Sequence, residues 1–286
     1  MAKKVIITSD STSDLSAELI KRYNVQVLPL GISLGGTLHR DGIDISPDLI
    51  YEHYSKTGEL PKTSAVNVEE CIDFFRPFVD DGYSIVHFSI SSEMSSTFNN
   101  CRLAAMEFDD VYVVDTKNLS TGAGLLVVSA GEMAKQGLEA KEIAEKCEEL
   151  STRVDASFVI DNLEFLHKGG RCSSLEAFGA NLLKLKPCIA VRNGKMGAIK
   201  KYRGKFSSVL KEYIKDMIGD ASDIELDKIF VTHAGCDEEI CKECVELVKS
   251  LAPFKEIFFT RAGSTVSSHC GRDTLGVLFI RKSKVE

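Results

Sequence analysis

Short runs of β-branched residues alternate with amphipathic stretches along almost the whole chain, and this alternation constrains the fold most. Strands that alternate with helices usually pair in parallel through crossover connections, so the pattern predicts an α/β protein. Two helical stretches in succession, 119–136 and 140–154, interrupt the alternation before strands and helices resume. In the first part of the chain the predicted strands are 5–8, 25–33, 84–90 and 111–115.

We therefore predict two α/β/α domains. The N-terminal α/β domain spans residues 1–155, and the C-terminal α/β domain spans residues 156–286. A chain of 286 residues is long enough for two hydrophobic cores. No low-complexity linker marks the division, so we expect a fixed and extensive interface. Within the second domain, “CIAVRNGKMGAIK” predicts a hairpin that turns at Asn193 and Gly194.

The charge balance and the apolar runs exclude several classes of protein. A net charge of −7 and a pI of about 5.5 argue against general nucleic-acid binding. The sequence contains no run of eighteen apolar residues, so it predicts no membrane-spanning helix. The first apolar run is too short for a signal peptide. Nine scattered cysteines are typical of free thiols in a reducing compartment. We expect a cytoplasmic protein.

The cysteines and histidines give little support for a metal centre. The spacing C-x4-C-x2-C, at Cys236, Cys241 and Cys244, is that of plant-type ferredoxins. The surrounding sequence instead predicts a helix with an apolar stripe, in which free cysteine acts as a small hydrophobe. The histidines show no H-x-x-x-H spacing, and His87 and His233 lie within strand patterns. We expect no metal and no cofactor, and we interpret both histidines as core residues.

Four loops at predicted strand ends or helix starts are rich in serine and threonine. They are “TSDSTSD”, “PKTSAVN”, “SISSEMSSTF” and “GSTVSSHCG”. Ligands of open α/β sheets bind at the carboxyl ends of strands, where loops lead into helices. Capping uses one hydroxyl per helix, and we expect Ser11 or Ser13, and Thr63 or Ser64, to serve as caps. The other hydroxyls, with the helix amides, suit a carboxylate or a phosphate.

His269 lies in “GSTVSSHCGRDTLG”, which predicts a turn of small residues ahead of a buried strand. Four roles stay open for its imidazole: a catalytic base, a metal ligand, a hydrogen-bond partner of a ligand, or a satisfied core residue. No acid stands out in the sequence as the partner that would orient His269, which argues against a serine hydrolase. The neighbouring hydroxyls favour ligand binding.

Two basic features also suggest contacts with anions. Arg171 follows a Gly-Gly pair in “EFLHKGGRCSS”. Residues 192–215 hold eight lysines and arginines and one acid. A charge run is most often a solvated face, but this excess in an acidic protein suits an acidic partner or a phosphate.

Seven motifs, spread over nearly the whole chain, together resemble the DegV family of bacterial fatty-acid-binding proteins. They are “TSDSTSDL”, “PKTSAVN”, “SSEMSSTFNN”, “VVDTKNLSTGAG”, “LEFLHKGGRCSS”, “LLKLKPCIAVRNGK” and “SSHCGRDTLGVLFI”. The resemblance implies a lipid-binding protein of phospholipid metabolism that buries one long-chain fatty acid (C14–C18) between its domains. It also implies a partner, a dihydroxyacetone-kinase-like fatty acid kinase subunit, which uses ATP to form an acyl phosphate. The chain itself would then not be an enzyme.

The resemblance further implies roles for single residues. Arg171 would attend the head group and its phosphorylation, and Arg203 would help to dock the kinase. A Ser/His-dependent acyl or phosphoryl-ester enzyme, using His269 with Ser95 or Ser268, is the alternative from another class. A binder of phosphorylated metabolites and a transient membrane contact also stay open. The fatty-acid carboxylate would lie among Thr63, Ser64, Ser95, Ser96 and His269.

Overall fold

The computed structural model describes residues 4–170 and 185–285, so Arg171 lies outside the described residues. A 3-10 turn, Ser11–Ser13, follows the first strand. The strands are β1 Lys4–Asp10, β2 Gln26–Leu28, β3 Gly31–Leu34, β4 Thr37–Arg40, β5 Lys62–Ser64, β6 Tyr83–Ser89, β7 Val111–Asp115, β8 Val154–Ile160, β9 Leu185–Arg192, β10 Lys195–Arg203, β11 Ile224–His233, β12 Glu256–Arg261 and β13 Thr274–Arg281. The helices are α1 Ala17–Tyr23, α2 Pro47–Thr57, α3 Val68–Asp80, α4 Thr97–Ala105, α5 Ser120–Lys135, α6 Ala140–Ser151, α7 Glu164–Lys168, α8 Phe206–Ile218, α9 Glu238–Leu251 and α10 Ser264–Cys270.

The first unit, β1–β7 with α1–α6, is built on a parallel sheet of four strands in the order β2-β1-β6-β7. Helices α3 and α4 cover one face of this sheet, and α5 and α6 cover the other. Crossover helices of parallel strands lie on the faces of the sheet, which buries both faces. The predicted α/β class is therefore confirmed.

The second unit, β8–β13 with α7–α10, contains a sheet of six strands in the order β10-β9-β8-β13-β11-β12. Only β11 and β12 pair in parallel in this sheet, and the other pairs are antiparallel. The predicted hairpin is present between β9 and β10. It turns at Asn193 (φ 50°) and Gly194 (φ 80°), two left-handed residues that match the twist of a two-residue hairpin. Helices α8 and α9 cover the outer face of the sheet.

A small antiparallel sheet, β4-β3-β5, is an element that the sequence pattern did not predict. The predicted strand 25–33 is in fact two strands, β2 and β3, which belong to different sheets and are interrupted at Pro29. Proline has no N–H to donate and therefore ends a ladder inside a sheet. After Pro29 the chain leaves the parallel sheet and β3 pairs with β4 and β5.

The predicted helix caps are wrong at two places. Ser16, not Ser11 or Ser13, caps α1, because its side chain accepts the Leu19 amide. Thr63 and Ser64 lie in β5, and the side chain of Asn67 caps α3 in a reciprocal capping box with Glu70. The hydroxyls of β5 are therefore not used by a helix terminus.

Helix α5 is the layer that both units share. It contacts β1 and β6 of the parallel sheet and β8, β11 and β13 of the six-stranded sheet, and residues 120–131 are buried. One core cluster accordingly joins Phe88 of the first unit to Leu126 of α5 and Phe230 of the second unit. The predicted boundary between residues 155 and 156 falls inside β8. The division into residues 1–155 and 156–286 stays a prediction.

Glycine lets α5 lie close to its neighbours. A Cβ atom on Gly131 would lie 2.6–2.8 Å from the Cδ1, Cγ and Cβ atoms of Tyr23, which is closer than carbon atoms approach. Tyr23 is itself buried at the end of α1.

Among the described residues, no helix is long and apolar enough to span a membrane.

We expect Gly131→Ala to lower the free energy of unfolding by about 1–2 kcal/mol. Overpacking of a core costs ~1–3 kcal/mol, and the better helix propensity of alanine returns up to ~1 kcal/mol. Urea unfolding of Gly131→Ala, Tyr23→Ala and the double variant measures the coupling. The substitution of Gly131 should cost at least about 0.5 kcal/mol less when Tyr23 is absent. An equal cost in both backgrounds would show that Tyr23 is not the limiting contact.

Candidate functional site

A cavity of about 290 Å³ lies between the two units. Most of its wall is apolar, and the wall includes Leu30, Ile90, Met94, Leu119, Phe158 and Leu166. Among residues 4–170 and 185–285, no lysine, arginine, aspartate or glutamate lines it. Such a cavity suits a ligand with a long apolar part. The polar end of that ligand would meet hydroxyls and imidazole instead of these fully charged side chains.

The five residues proposed for the carboxylate all line this cavity, and they come from both units. The hydroxyl of Thr63 on β5 and the Nε2 atom of His269 on α10 are hydrogen-bonded at 2.8 Å. Thr63 and His269 are half-buried, as is Ser95, whereas Ser64 and Ser96 are exposed. The structure thus brings together residues that are more than 200 positions apart in the sequence.

His269 lies in the last turn of a helix, which corrects the predicted turn of small residues. The serines, the threonine and Cys270 of α10 are buried. Their small side chains let the helix lie against α2 and α7. A Cβ atom on Gly169 would lie 2.7 Å from the Nδ1 atom of His269, so this glycine makes room for the imidazole. The first glycine of the Gly-Gly pair that precedes Arg171 therefore shapes the site.

Two buried carboxylates of the first unit hold the start of α10. Asp14 accepts a hydrogen bond from the amide of Gly263 at 2.8 Å. Asp41 accepts from the amides of Ser264 at 2.9 Å and Thr265 at 3.3 Å. The first amides of a helix have no partner inside the helix, and the side-chain oxygens of Asp14 and Asp41 satisfy three of them. These bonds fix α10, and with it His269, against the first unit.

Asp14 is a strongly perturbed acid. Its pKa is raised to about 8, chiefly by burial and to a smaller extent by the charges of Asp41 and Asp10, while hydrogen bonds from Ser120 and Gly263 oppose the shift. The hydroxyl of Ser120 donates to Asp14 at 2.6 Å. Ser120 lines the cavity and has a left-handed backbone (φ 51°), a costly conformation for a residue with a side chain. The bond to Asp14 offsets part of that cost.

The start of α4 supplies the other polar wall. The hydroxyl of Ser95 accepts the amide of Thr97 at 3.2 Å and is 2.9 Å from the hydroxyl of Thr97. Ser96 occupies the N-cap position and makes no capping bond with its side chain. The positive end of a nine-residue helix thus lies at the cavity wall, where it favours an anionic group.

The serines near His269 have partners that do not suit a nucleophile. The hydroxyl of Ser268 donates to the carbonyl oxygen of Ser264 at 2.7 Å. Ser95 is paired with Thr97, and the Nε2 atom of His269 is paired with Thr63. An activated serine requires its hydroxyl within hydrogen-bond reach of the base. In the structure, the Nε2 atom of His269 is instead hydrogen-bonded to the hydroxyl of a threonine.

The excess of positive charge in residues 192–215 is smaller in the fold than the sequence suggests. Arg203 is exposed at the end of β10 and does not line the cavity. Four of the eight cations pair with acids that are distant in the sequence or on a neighbouring helix, which lowers the local excess of positive charge. These pairs are Arg192 with Asp155, Lys195 with Glu93, Lys200 with Asp216 and Lys211 with Glu243.

The two strand histidines differ from one another. His87 is fully buried, its Nδ1 atom is 2.9 Å from the hydroxyl of Thr8, and burial lowers its pKa to about 3, as expected of a core histidine. His233 is only partly buried and lines the cavity, which the sequence analysis missed. Its position at the carboxyl end of β11, where α/β proteins bind ligands, was the signal available for it.

Fold and site together define a two-unit α/β protein with an interior cavity that is apolar except for a cluster of hydroxyls and imidazole. The family model described as “Uncharacterised protein, DegV family” matches residues 4–282. The chain therefore belongs to the DegV family.

Curated relatives match it from end to end. A DegV domain-containing protein of Clostridium perfringens is 31% identical over 291 residues, covering 99% of each chain. A DegV domain-containing protein of Staphylococcus aureus is also 31% identical and covers 99% of this chain and 100% of its own.

Two solved structures link the family to lipids. A fatty-acid-binding DegV family protein of Thermus thermophilus is 29% identical, with a TM-score of 0.89, and the match covers 97% of this chain and 99% of that one. A stearic-acid-binding protein of Eubacterium ventriosum is 27% identical, with a TM-score of 0.81 and 99% coverage of both chains. Solved members of the family thus bind fatty acids.

The raised pKa of Asp14 predicts a pH dependence of stability. The folded protein holds this proton more tightly than the unfolded chain, whose aspartate has a pKa of 3.8. The stabilisation is complete below about pH 4 and is lost as the pH rises to about 8, at up to about 1.4 kcal/mol per pH unit. Asp14→Asn does not titrate, so its stability relative to the wild type should rise between pH 5 and pH 8 in urea unfolding. Parallel pH profiles for the two proteins would contradict the assignment.

Proposed function

We propose that this protein binds one long-chain fatty acid in the cavity and presents its carboxylate to a separate ATP-dependent kinase subunit. The acyl chain lies along the apolar wall, and the carboxylate lies among Thr63, Ser95, Ser96 and His269. Ser64, on the same strand as Thr63, also lines the cavity and belongs to the proposed carboxylate site. The fatty-acid-binding relatives of Thermus thermophilus and Eubacterium ventriosum support the class of ligand.

The hydrogen-bonded pair of Thr63 and His269, in a cavity that is otherwise largely apolar, is the observation that carries the proposal. A buried carboxylate is costly unless several donors share its charge. The pair, Ser95 and the start of α4 supply such donors without a lysine or arginine among the described lining residues. Each buried methylene of the acyl chain contributes about 0.8 kcal/mol, so the tail supplies the affinity and the donors set its orientation.

Presentation to a kinase requires a surface outside the cavity. Arg203 is exposed and Lys205 follows it closely, also exposed, at the start of α8. We assign Arg203 to docking, because exposed cations steer association with an acidic partner. Arg171, which lies outside the described residues, is assigned to the head group and to phosphoryl transfer. No residue of this chain then performs catalysis.

The first experiment compares fatty acid retention in three proteins. Native and denaturing mass spectra of the wild-type protein, purified without added lipid, should show one C14–C18 fatty acid per chain. Thr63→Val keeps the shape of the side chain but removes the hydroxyl, so it should bind the fatty acid roughly 10–100-fold more weakly, as a lost hydrogen bond to a charged group costs about 1.5–3 kcal/mol. Thr63→Ser, which keeps the hydroxyl, is the matched control and should bind nearly as the wild type does.

Two outcomes would count against this proposal. A wild-type protein that carries no lipid and takes up neither palmitate nor oleate is not a fatty acid carrier. Labelling of Ser95 or Ser268 by a fluorophosphonate would favour the alternative, a Ser/His-dependent acyl or phosphoryl-ester enzyme, since a carrier has no activated serine.

A second experiment isolates the docking role of Arg203. Arg203→Glu should retain fatty acid but slow ATP-dependent phosphorylation by the cognate kinase subunit by about tenfold at low salt, because it reverses a steering charge. Arg102→Glu, a reversal of an exposed arginine on α4, is the control and should leave the rate unchanged. Loss of fatty acid binding in Arg203→Glu, or equal rates for both variants, would exclude docking as the role of Arg203.

A further inference from the structure

Three potential metal ligands meet behind the wall of the cavity. His233 ends β11, Cys236 lies in the loop that follows, and Cys241 lies in the first turns of α9. One ligand atom of each residue lies within 4.8 Å of the other two. Both cysteines are buried, and His233 is partly buried. The three residues therefore form a cluster of one imidazole and two sulfur atoms, assembled from a strand end, a loop and a helix.

The spacing of these atoms is near that of a tetrahedral zinc site. With Zn–S bonds of about 2.3 Å and Zn–N bonds of about 2.0–2.1 Å, ligand atoms around tetrahedral zinc lie about 3.5–3.8 Å apart. The separations between the ligand atoms need to shorten by at most about 1.3 Å to reach that geometry. Rotation of the cysteine side chains about χ1 moves sulfur by such distances without a change of the backbone.

The imidazole of His233 is fixed in orientation by a neighbouring ring, and one of its nitrogen atoms lacks a hydrogen bond within the described part of the chain. The Nδ1 atom of His233 is buried and has no hydrogen-bond partner among the described residues. The ring stacks on Phe259, with ring centroids 5.0 Å apart and planes within 6°. A buried nitrogen without a partner is costly, and a stacked ring is fixed in its plane. The thiol of Cys236 is 3.2 Å from the carbonyl oxygen of Thr274, a weak contact that a metal bond would replace.

We propose that His233, Cys236 and Cys241 bind Zn²⁺, with the fourth position left to water or to another small ligand. Two thiolates and one imidazole are the ligand set of zinc sites that keep an open position, and soft sulfur ligands select zinc over magnesium or calcium. Binding releases the two thiol protons to solvent, as each cysteine coordinates as a thiolate. Since His233 also lines the cavity, the ion fixes one residue of the cavity wall to α9.

The test uses the full-length protein and the metal ion itself. After growth with zinc and dialysis against metal-free buffer, plasma mass spectrometry should find one zinc ion per wild-type chain. Cobalt added to the metal-free protein should give intense tetrahedral d–d bands and a sulfur-to-cobalt charge-transfer band. Cys236→Ser and Cys241→Ser should each lower the zinc affinity more than about tenfold.

Cys244→Ser is the matched control, because Cys244 is buried one turn further along α9 and is not part of the cluster. It should bind zinc and cobalt as the wild type does. The cobalt spectrum of the wild type keeps the proposal testable if a cysteine variant does not fold. The proposal is overturned by octahedral cobalt bands without charge transfer, by zinc affinity that is equal in Cys241→Ser and the wild type, or by a Cys236–Cys241 disulfide that persists in protein freshly purified with a reductant present.

Discussion

The position of α10 depends on hydrogen bonds that its first amides donate to buried acidic side chains of the first unit. A helix of seven residues is too short to be stable alone, and its first amides have no partner within it. Asp14 and Asp41 accept these amides across the boundary between the units. The same bonds hold His269 opposite Thr63, so the contact between the units and the geometry of the site have one cause. A change that separates the units would also separate the two residues.

Two acidic side chains are buried close to the site, although their burial costs free energy. Asp10 and Asp14 are buried, and burial raises the pKa of each. Asp10 is satisfied by Thr12, Ser89 and the amide of Ile90, next to the cavity wall. Buried carboxylates persist when hydrogen bonds satisfy them, and they then fix one arrangement of the chain. The apolar contacts of α5 with both sheets supply the stability that offsets this cost.

Periodicity predicted most of the elements, and the hydroxyl-rich loops predicted residues that line the cavity, because both patterns are local in the sequence. The pairing of the strands could not be predicted in this way. The split at Pro29 and the antiparallel strands of the second sheet depend on contacts between residues that are distant in the sequence. The capping residues were wrong for a similar reason, since Thr63 pairs in a small sheet that was not foreseen. The spacing motifs of metal sites in this sequence contain either cysteines or histidines alone. The cluster of His233 with Cys236 and Cys241 mixes both types across a strand, a loop and a helix.

His233 connects the proposed lipid site with the proposed zinc site, because it lines the cavity and also belongs to the metal cluster. An ion bound to its imidazole holds the ring in one place and lowers the entropy that a ligand must pay to order that part of the wall. Coupling between two binding sites is reciprocal. If bound zinc raises the affinity for a fatty acid that packs against the ordered ring, the bound fatty acid raises the affinity for zinc by the same factor. Cys236 and Cys241 do not line the cavity, so substitutions there alter this coupling while the contacts of the lipid stay in place.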